Sequence, residues 1–265
     1  MSIVVESATG RDRRARLVAL AREIGDVGRA HAIAHDRDGS FVTEAFDAAR
    51  SSGYLAAAVP EELGGMGATV ADLCRAQAEL ARHCASTALA VSMHMHLVLT
   101  AAWRFRRGEP TETLLRRVAD ESILLVSSGA SDWTRPDAVA TPLDGGGYRV
   151  TGRKVFASQS PVGDVLVTSA HVRNEHGPEH ILAIGIPLTA EGVRVVDTWD
   201  TLGMRGTASH DIVLDDVLIA DAQVSATRPW GVIDRLLSAA VIHAIPVISS
   251  VYWGVARAAR DLVVE

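Results

Sequence analysis

What most constrains the fold of this chain is a change in its hydrophobic period near residue 120. Before that point apolar residues recur every three to four positions, the repeat of helices with one buried face. Arg11–His35 reads as a charged amphipathic helix. Ser40 is placed to cap a second over Phe41–Ser52, where Phe41, Ala45, Phe46 and Ala49 share a face. Pro60 and the glycines Gly64, Gly65 and Gly67 then break the pattern. Thr69 is placed to cap Val70–His83, an apolar helix follows over Ser86–Trp103, and Thr111 opens a short one ending near Asp120. From Glu121 the repeat becomes that of strands: ILLVSS, YRVTGRKVFAS, DVLVTSAHV, HILAIGIPL, VRVVDTW and HDIVLDDVLI alternate or run in Val and Ile between turn signals such as Asp144-Gly145-Gly146-Gly147. After Pro229 helical spacing returns. The reading is an α+β multidomain chain. It has an N-terminal all-α domain (1–120), a middle antiparallel β-barrel or sandwich domain (121–228) and the start of a C-terminal helical bundle (229–265). No βαβ alternation and no GxGxxG support a Rossmann domain.

Composition removes other classes. At 48% hydrophobic and 22% charged residues the 265-residue chain is not mainly disordered. A net charge of −6 argues against a nucleic-acid binder, which needs a basic face. Only Lys154 among the 26 basic residues is a lysine, a bias read as that of a GC-rich genome rather than as a phosphate-binding signature. Cys74 and Cys84 sit in a stretch that reads as helix, ~15 Å apart at helical rise and beyond disulfide reach. Two buried thiols suit a reducing cytoplasm, and they are too few and too far apart for a metal site. The N-terminus lacks the apolar run of a secretory signal. Ser86–Trp103 and Leu236–Ala256 are apolar nearly all round, and both are read as buried bundle helices rather than membrane spans.

Three stretches, in this order, resemble the acyl-CoA dehydrogenase family: VPEELGGMG (Val59–Gly67), GYRVTGRKVFAS (Gly147–Ser158) and LGMRGTASHDIVLDD (Leu202–Asp216). The likeness spans about residues 12–265 on a matching α–β–α order. It implies an N-terminal helical domain, a middle β domain and a C-terminal four-helix bundle, with FAD between the last two.

Carried over residue by residue, the resemblance places Phe156 against one face of the isoalloxazine and Ser158 near its central nitrogen, with Ala157 between them. Residues two apart on a strand share a face, so an aromatic plate and a hydroxyl donor can address one ring. VSSGASDW (Val126–Trp133) corresponds to the family's other flavin loop. Val126, Ser127, Ser128 and Gly129 are candidates to offer backbone N–H groups to the flavin, and Ser131 to meet substrate. The Thr-Glu-Pro part of that loop is missing. Arg205 in LGMRG is read as bonding backbone carbonyls in a tight turn. His94 and His96 point about 200° apart on a helix and cannot chelate one metal from one face. One is expected to face the bundle and the other solvent. Flavin monooxygenases of this fold place a histidine near His94 in the substrate cavity, although a packed core histidine is the favoured reading.

The implied activity is α,β-dehydrogenation of an acyl-CoA thioester in fatty acid metabolism, with electron-transfer flavoprotein as a partner and a homo- or hetero-oligomeric assembly. The family's base is a bundle glutamate, yet at the one position within this chain stand His243 or Ala244. Asp234, the nearest carboxylate, lies ahead of the helix core. No catalytic base is assigned. A monooxygenase of the same fold and a non-catalytic partner subunit or remnant are the alternatives. The periodic stretch VARAARDLVVE runs to Glu265. This predicts a chain cut short within the bundle, poorly soluble or self-associating through Leu236–Ala256.

Overall fold

The computed structural model describes residues 8–128, 133–173 and 179–264. Five helices come first: α1 (Ala8–Asp38), α2 (Thr43–Ser51), α3 (Val70–His83), α4 (Ala85–Phe105) and α5 (Glu112–Glu121). Eight strands follow: β1 (Leu125–Ser127), β2 (Val139–Pro142), β3 (Tyr148–Ala157), β4 (Val165–Val172), β5 (His180–Pro187), β6 (Val193–Val196), β7 (His210–Ile219) and β8 (Val224–Pro229). A last helix, α6, covers Arg235–Val264. The helical-domain, β-domain and C-terminal-helix order read from the periodicity is therefore the observed one.

Local chemistry explains where α3 begins. Thr69 Oγ1 accepts from the Asp72 N–H at 3.2 Å, and Asp72 Oδ2 accepts from the Thr69 N–H at 3.1 Å, a reciprocal cap of the first turn. Arg13 and Arg14 of α1 reach the same carboxylate at 3.3 and 3.0 Å, so the cap also docks α1. Burial by itself would raise the Asp72 pKa. The bonds from Thr69 and Arg14 outweigh it and hold the carboxyl below its ordinary value. Ser40 does not cap α2. That helix starts at Thr43 without a side-chain cap, and the Ser40 hydroxyl instead bonds His35 Nδ1 at 2.7 Å. Thr111 precedes α5, but its hydroxyl donates to Ala101 O at 2.8 Å. Cys84 occupies the non-helical joint between α3 and α4 rather than a continuous helix, and Cys74 is only half-buried.

The strands form one sheet in the order β6-β7-β3-β2-β4-β5-β8, with β1 paired to β4. Most pairings are antiparallel, as the turn-rich spacing predicts. The β1–β4 and β2–β4 pairings are parallel. The sheet encloses its own apolar core, including Val150, Leu166, Ile184, Ile212 and Leu214. A second core joins the helices and extends through Leu124 and Leu125 to Val247 and Val251 of α6.

Both α4 and α6 are long and apolar enough to cross a membrane. α4 is mostly buried among its neighbours, but α6 is not the buried helix expected. One face packs on α3 and α4, and Ile242, Ile245, Tyr252 and Trp253 on the other are exposed. The inner face fits closely because Gly254 lacks a side chain: a Cβ there would lie 2.3 Å from Ala78 O.

Candidate active site

The two sequence-predicted segments, the end of β1 and the end of β3, are brought together by Gln159, a residue the sequence reading missed. Its side-chain Nε2 donates to Leu125 O at 2.8 Å, and its backbone N–H donates to Thr207 O at 2.9 Å. Its Oε1 is buried without a partner among the described residues. The backbone reaches this position through a left-handed conformation, φ 60°.

The strand repeat does not relate Phe156 to Ser158. The β3–β7 register slips between Lys154 and Ala157, and Phe156 itself has φ 57°. This bulge turns the two side chains apart from the regular alternation. The Phe156 ring is 51% exposed and meets Trp199 edge-on at 6.0 Å, whereas Ser158 is buried. Trp199 is held by its Nε1–H, which donates to Met204 O at 3.1 Å. The side chains of Val126 and Ala157 belong to the sheet core, so either can serve a ligand only through its backbone.

Behind Ser158 runs a chain of hydroxyls. Thr207 Oγ1 donates to Met204 O at 2.9 Å and therefore accepts from Ser209 Oγ at 2.8 Å. Ser209, its only hydroxyl proton spent, accepts from Ser158 Oγ at 2.8 Å. Ser158 is thus an acceptor toward the outside, not the donor expected from its residue type.

Both histidines of α4 are buried, contrary to the expectation that one faces solvent, because β1 packs across that helix. His94 Nε2 donates to Leu55 O at 2.9 Å, and its Nδ1 accepts from the Leu125 N–H at 3.0 Å. Neither ring nitrogen is left for a ligand. His96 Nδ1 donates to Ser92 O at 3.2 Å, so its Nε2 is the acceptor facing Ser127 Oγ at 3.4 Å. Burial pushes the pKa of each imidazole down to about 4. Ser128 Oγ pairs with Thr168 Oγ1 at 2.7 Å. Gly129 and Ser131 lie outside the described residues.

From the other side α6 contributes His243, whose Nδ1 lies 3.1 Å from Thr100 Oγ1. Asp234, just ahead of α6, is occupied. It accepts from Arg228 Nε at 2.8 Å and from the Leu237 N–H at 3.1 Å. Burial would raise its pKa, but the Arg228 bond and the helix amides hold it below the usual carboxylate range. Nearby, Trp133, Thr134, Ile233, Leu237, Ser238, Val241 and Ile242 line an apolar cavity of about 610 Å³. Arg205, as expected, bonds carbonyls: its Nε donates to Asp36 O at 2.7 Å and its Nη1 to Thr201 O at 2.9 Å. Among the described residues no three His, Cys, Asp or Glu side chains gather as a metal-binding set.

Two family models match the chain: the acyl-CoA dehydrogenase N-terminal domain over residues 14–122 and the middle domain over 127–217. An L-evernosamine nitrososynthase from a Micromonospora species is 34% identical over 96% of this chain and 63% of its own length. An isobutylamine N-hydroxylase from Streptomyces viridifaciens is 31% identical over 87% of this chain and 63% of its own. KijD3, solved with FMN and dTDP-3-amino-2,3,6-trideoxy-4-keto-3-methyl-D-glucose, superposes with a TM-score of 0.82. It is 33% identical and matches 98% of this chain and 64% of that one. The chain thus spans somewhat under two thirds of the length of these proteins.

Proposed function

The chain belongs to the acyl-CoA dehydrogenase superfamily, and from that premise we propose that it works as a flavin-dependent monooxygenase that oxidises the nitrogen of an amine. The observation that carries this reading is the chemistry at the junction of β1, α4 and α6. It consists of hydroxyls and neutral imidazoles, namely Ser127, Ser128, Thr100, His96 and His243, and Asp234, nine residues ahead of His243 in the chain, is locked to Arg228. Dehydrogenation of a thioester uses a free carboxylate to remove the α-proton, and the position for it within this chain holds His243 or Ala244 instead. Amine oxygenation requires none, because the amine's own lone pair is the nucleophile. The names of the nitrososynthase and N-hydroxylase relatives support the same choice over fatty acid metabolism.

The residues fit a flavin. Phe156 offers an aromatic ring left about half exposed among the described residues, beside Trp199, with the Ser158 lone pairs close by in sequence. Phe156 would pack on the ring, and Ser158 would accept a hydrogen bond from a ring N–H. Ser127 and Ser128 would present polar groups at the end of β1. The relative solved with FMN favours that form over FAD. Once bound and reduced, such a cofactor supplies the electrons that activate dioxygen. This chain's own work is to orient and to exclude water. Leu125, Val126 and Ala157 bury their side chains in the cores behind the ends of β1 and β3, where water is excluded. His96, neutral, holds the Ser127 hydroxyl by accepting a hydrogen bond from it at Nε2.

The test supplies the protein with FMN, a flavin reductase, oxygen and a primary amine. Formation of the hydroxylamine, retained in Asp234→Asn, is the expected result. Anaerobic bleaching of the bound flavin by acyl-CoA thioesters, with no amine product, would restore the dehydrogenase reading.

A further inference from the structure

We propose that His243 contacts the substrate: its Nε2 accepts a hydrogen bond from the N–H of a neutral primary amine, which keeps the amine's lone pair free to be oxidised. The inference rests on the amine-oxygenase reading and specifies the substrate form that site selects.

The argument follows one proton. Thr100 has a single hydroxyl hydrogen, and it goes to His96 O, one helical turn back, at 2.8 Å. The Thr100 oxygen can then only accept from the nitrogen 3.1 Å away, so His243 carries its proton on Nδ1. A neutral imidazole has one N–H. Its Nε2 is therefore a bare acceptor, and it has no hydrogen-bond partner among the described residues.

The surroundings keep that ring neutral. Burial lowers the His243 pKa, and the Arg106 charge pushes in the same direction. His96, across on α4, is itself neutral at pH 7. Ala239 and Val247, one turn to either side of His243 on α6, make that face apolar. A half-buried acceptor in such a place reaches water in the free protein, so it discriminates once a bound substrate displaces that water and either pairs with the acceptor or leaves it unpaired. A thioester or a thiophene offers it no N–H. An alkylammonium ion would bring a positive charge beside Arg106. A neutral primary amine satisfies it and has a lone pair to spare.

The experiment uses n-butylamine as the probe and reads the His243 ring by nitrogen-15 NMR. The Nδ1–H tautomer is expected in the free protein, with the Nε2 resonance moving as butylamine is added. His243→Asn keeps a donor toward Thr100 but removes the outer acceptor. It should weaken butylamine binding about fivefold to tenfold while flavin affinity and folding stay unchanged. His243→Gln, which can place an oxygen near the Nε2 position, should recover part of the loss. An Nε2–H tautomer, an Nε2 signal indifferent to butylamine, or unaltered butylamine affinity in His243→Asn each overturns the inference. The two readings separate cleanly. Butylamine binding through Nε2 without any oxygenated product removes the proposed activity and leaves this contact standing. Oxygenation with an unchanged KM in His243→Asn does the reverse.

Discussion

Ser158 Oγ lies 2.8 Å from Ser209 Oγ, and the proton between them belongs to Ser158. Its direction is set two residues away, where Thr207 spends its own proton on Met204 O. A serine that reads in sequence as a donor is thereby held as an acceptor, and that polarity suits a ring nitrogen bearing hydrogen.

Ser209→Ala breaks the chain and returns the Ser158 proton to the outside. Folding stability should fall by roughly 1–2 kcal/mol, since Thr207 and Ser158 lose a buried partner. The affinity for oxidised FMN should rise relative to reduced FMN. Anaerobic titration of both redox forms measures the ratio, and an unchanged ratio rules out the acceptor role.

Arg50 ties the helical region to the sheet. Its guanidinium donates to Ser122 O at 2.7 Å, to Val162 O at 2.8 Å and to Asp164 at 2.9 Å, and Asp164 in turn accepts the Leu124 N–H at 2.7 Å. Arg50→Ala should cost about 1–3 kcal/mol, most of it from the two orphaned carbonyls rather than the half-exposed ion pair. Urea unfolding measures it. A loss below half a kilocalorie per mole, on the order of a surface substitution, would show that the clamp is ornamental.

Acid should destabilise the protein through its two α4 histidines. Each is neutral when folded, with a pKa of about 4, and reverts to about 6.5 when unfolded. Between those values the unfolded state binds more protons, so stability is full above pH 6.5 and declines as pH falls toward 4. The slope is up to about 1.4 kcal/mol per pH unit for each histidine. Unfolding midpoints at pH 7, 6 and 5 test this. His96→Gln should flatten the slope, and identical slopes in the two proteins would contradict it.

Gly254→Ala should lift α6 from α3, because the added methyl meets Ala78 O at 2.3 Å and Ala81 Cβ at 2.7 Å. A loss of about 1–3 kcal/mol is expected. It should be accompanied by faster amide exchange along α6 than along α4. Uniform exchange in both helices would mean that the contact is more yielding than its geometry indicates.

Much of the fold was legible because its signals are local. The repeat of three to four and the repeat of two each report on neighbours within one element, and Thr69 sits three residues from the Asp72 it pairs with. The site was less legible. The bulge at Phe156 depends on how β7 pairs across from it, and Gln159 acquires its role from Leu125 and Thr207. The His94 environment comes from Leu55 and Leu125, 39 and 31 residues away. Ser40 misled because a hydroxyl before a helix has other partners within reach, here His35.

By itself, then, the sequence determined the order of helical and stranded regions, the turns between them and the family, since each follows from side-chain spacing along one backbone. Tertiary structure alone decided which atoms of the site carry protons. Thr100 and His243 are 143 residues apart, and the tautomer of one depends on where the other's single hydrogen goes. A hydroxyl can donate only once, so its direction is a property of the whole network and not of any residue in it.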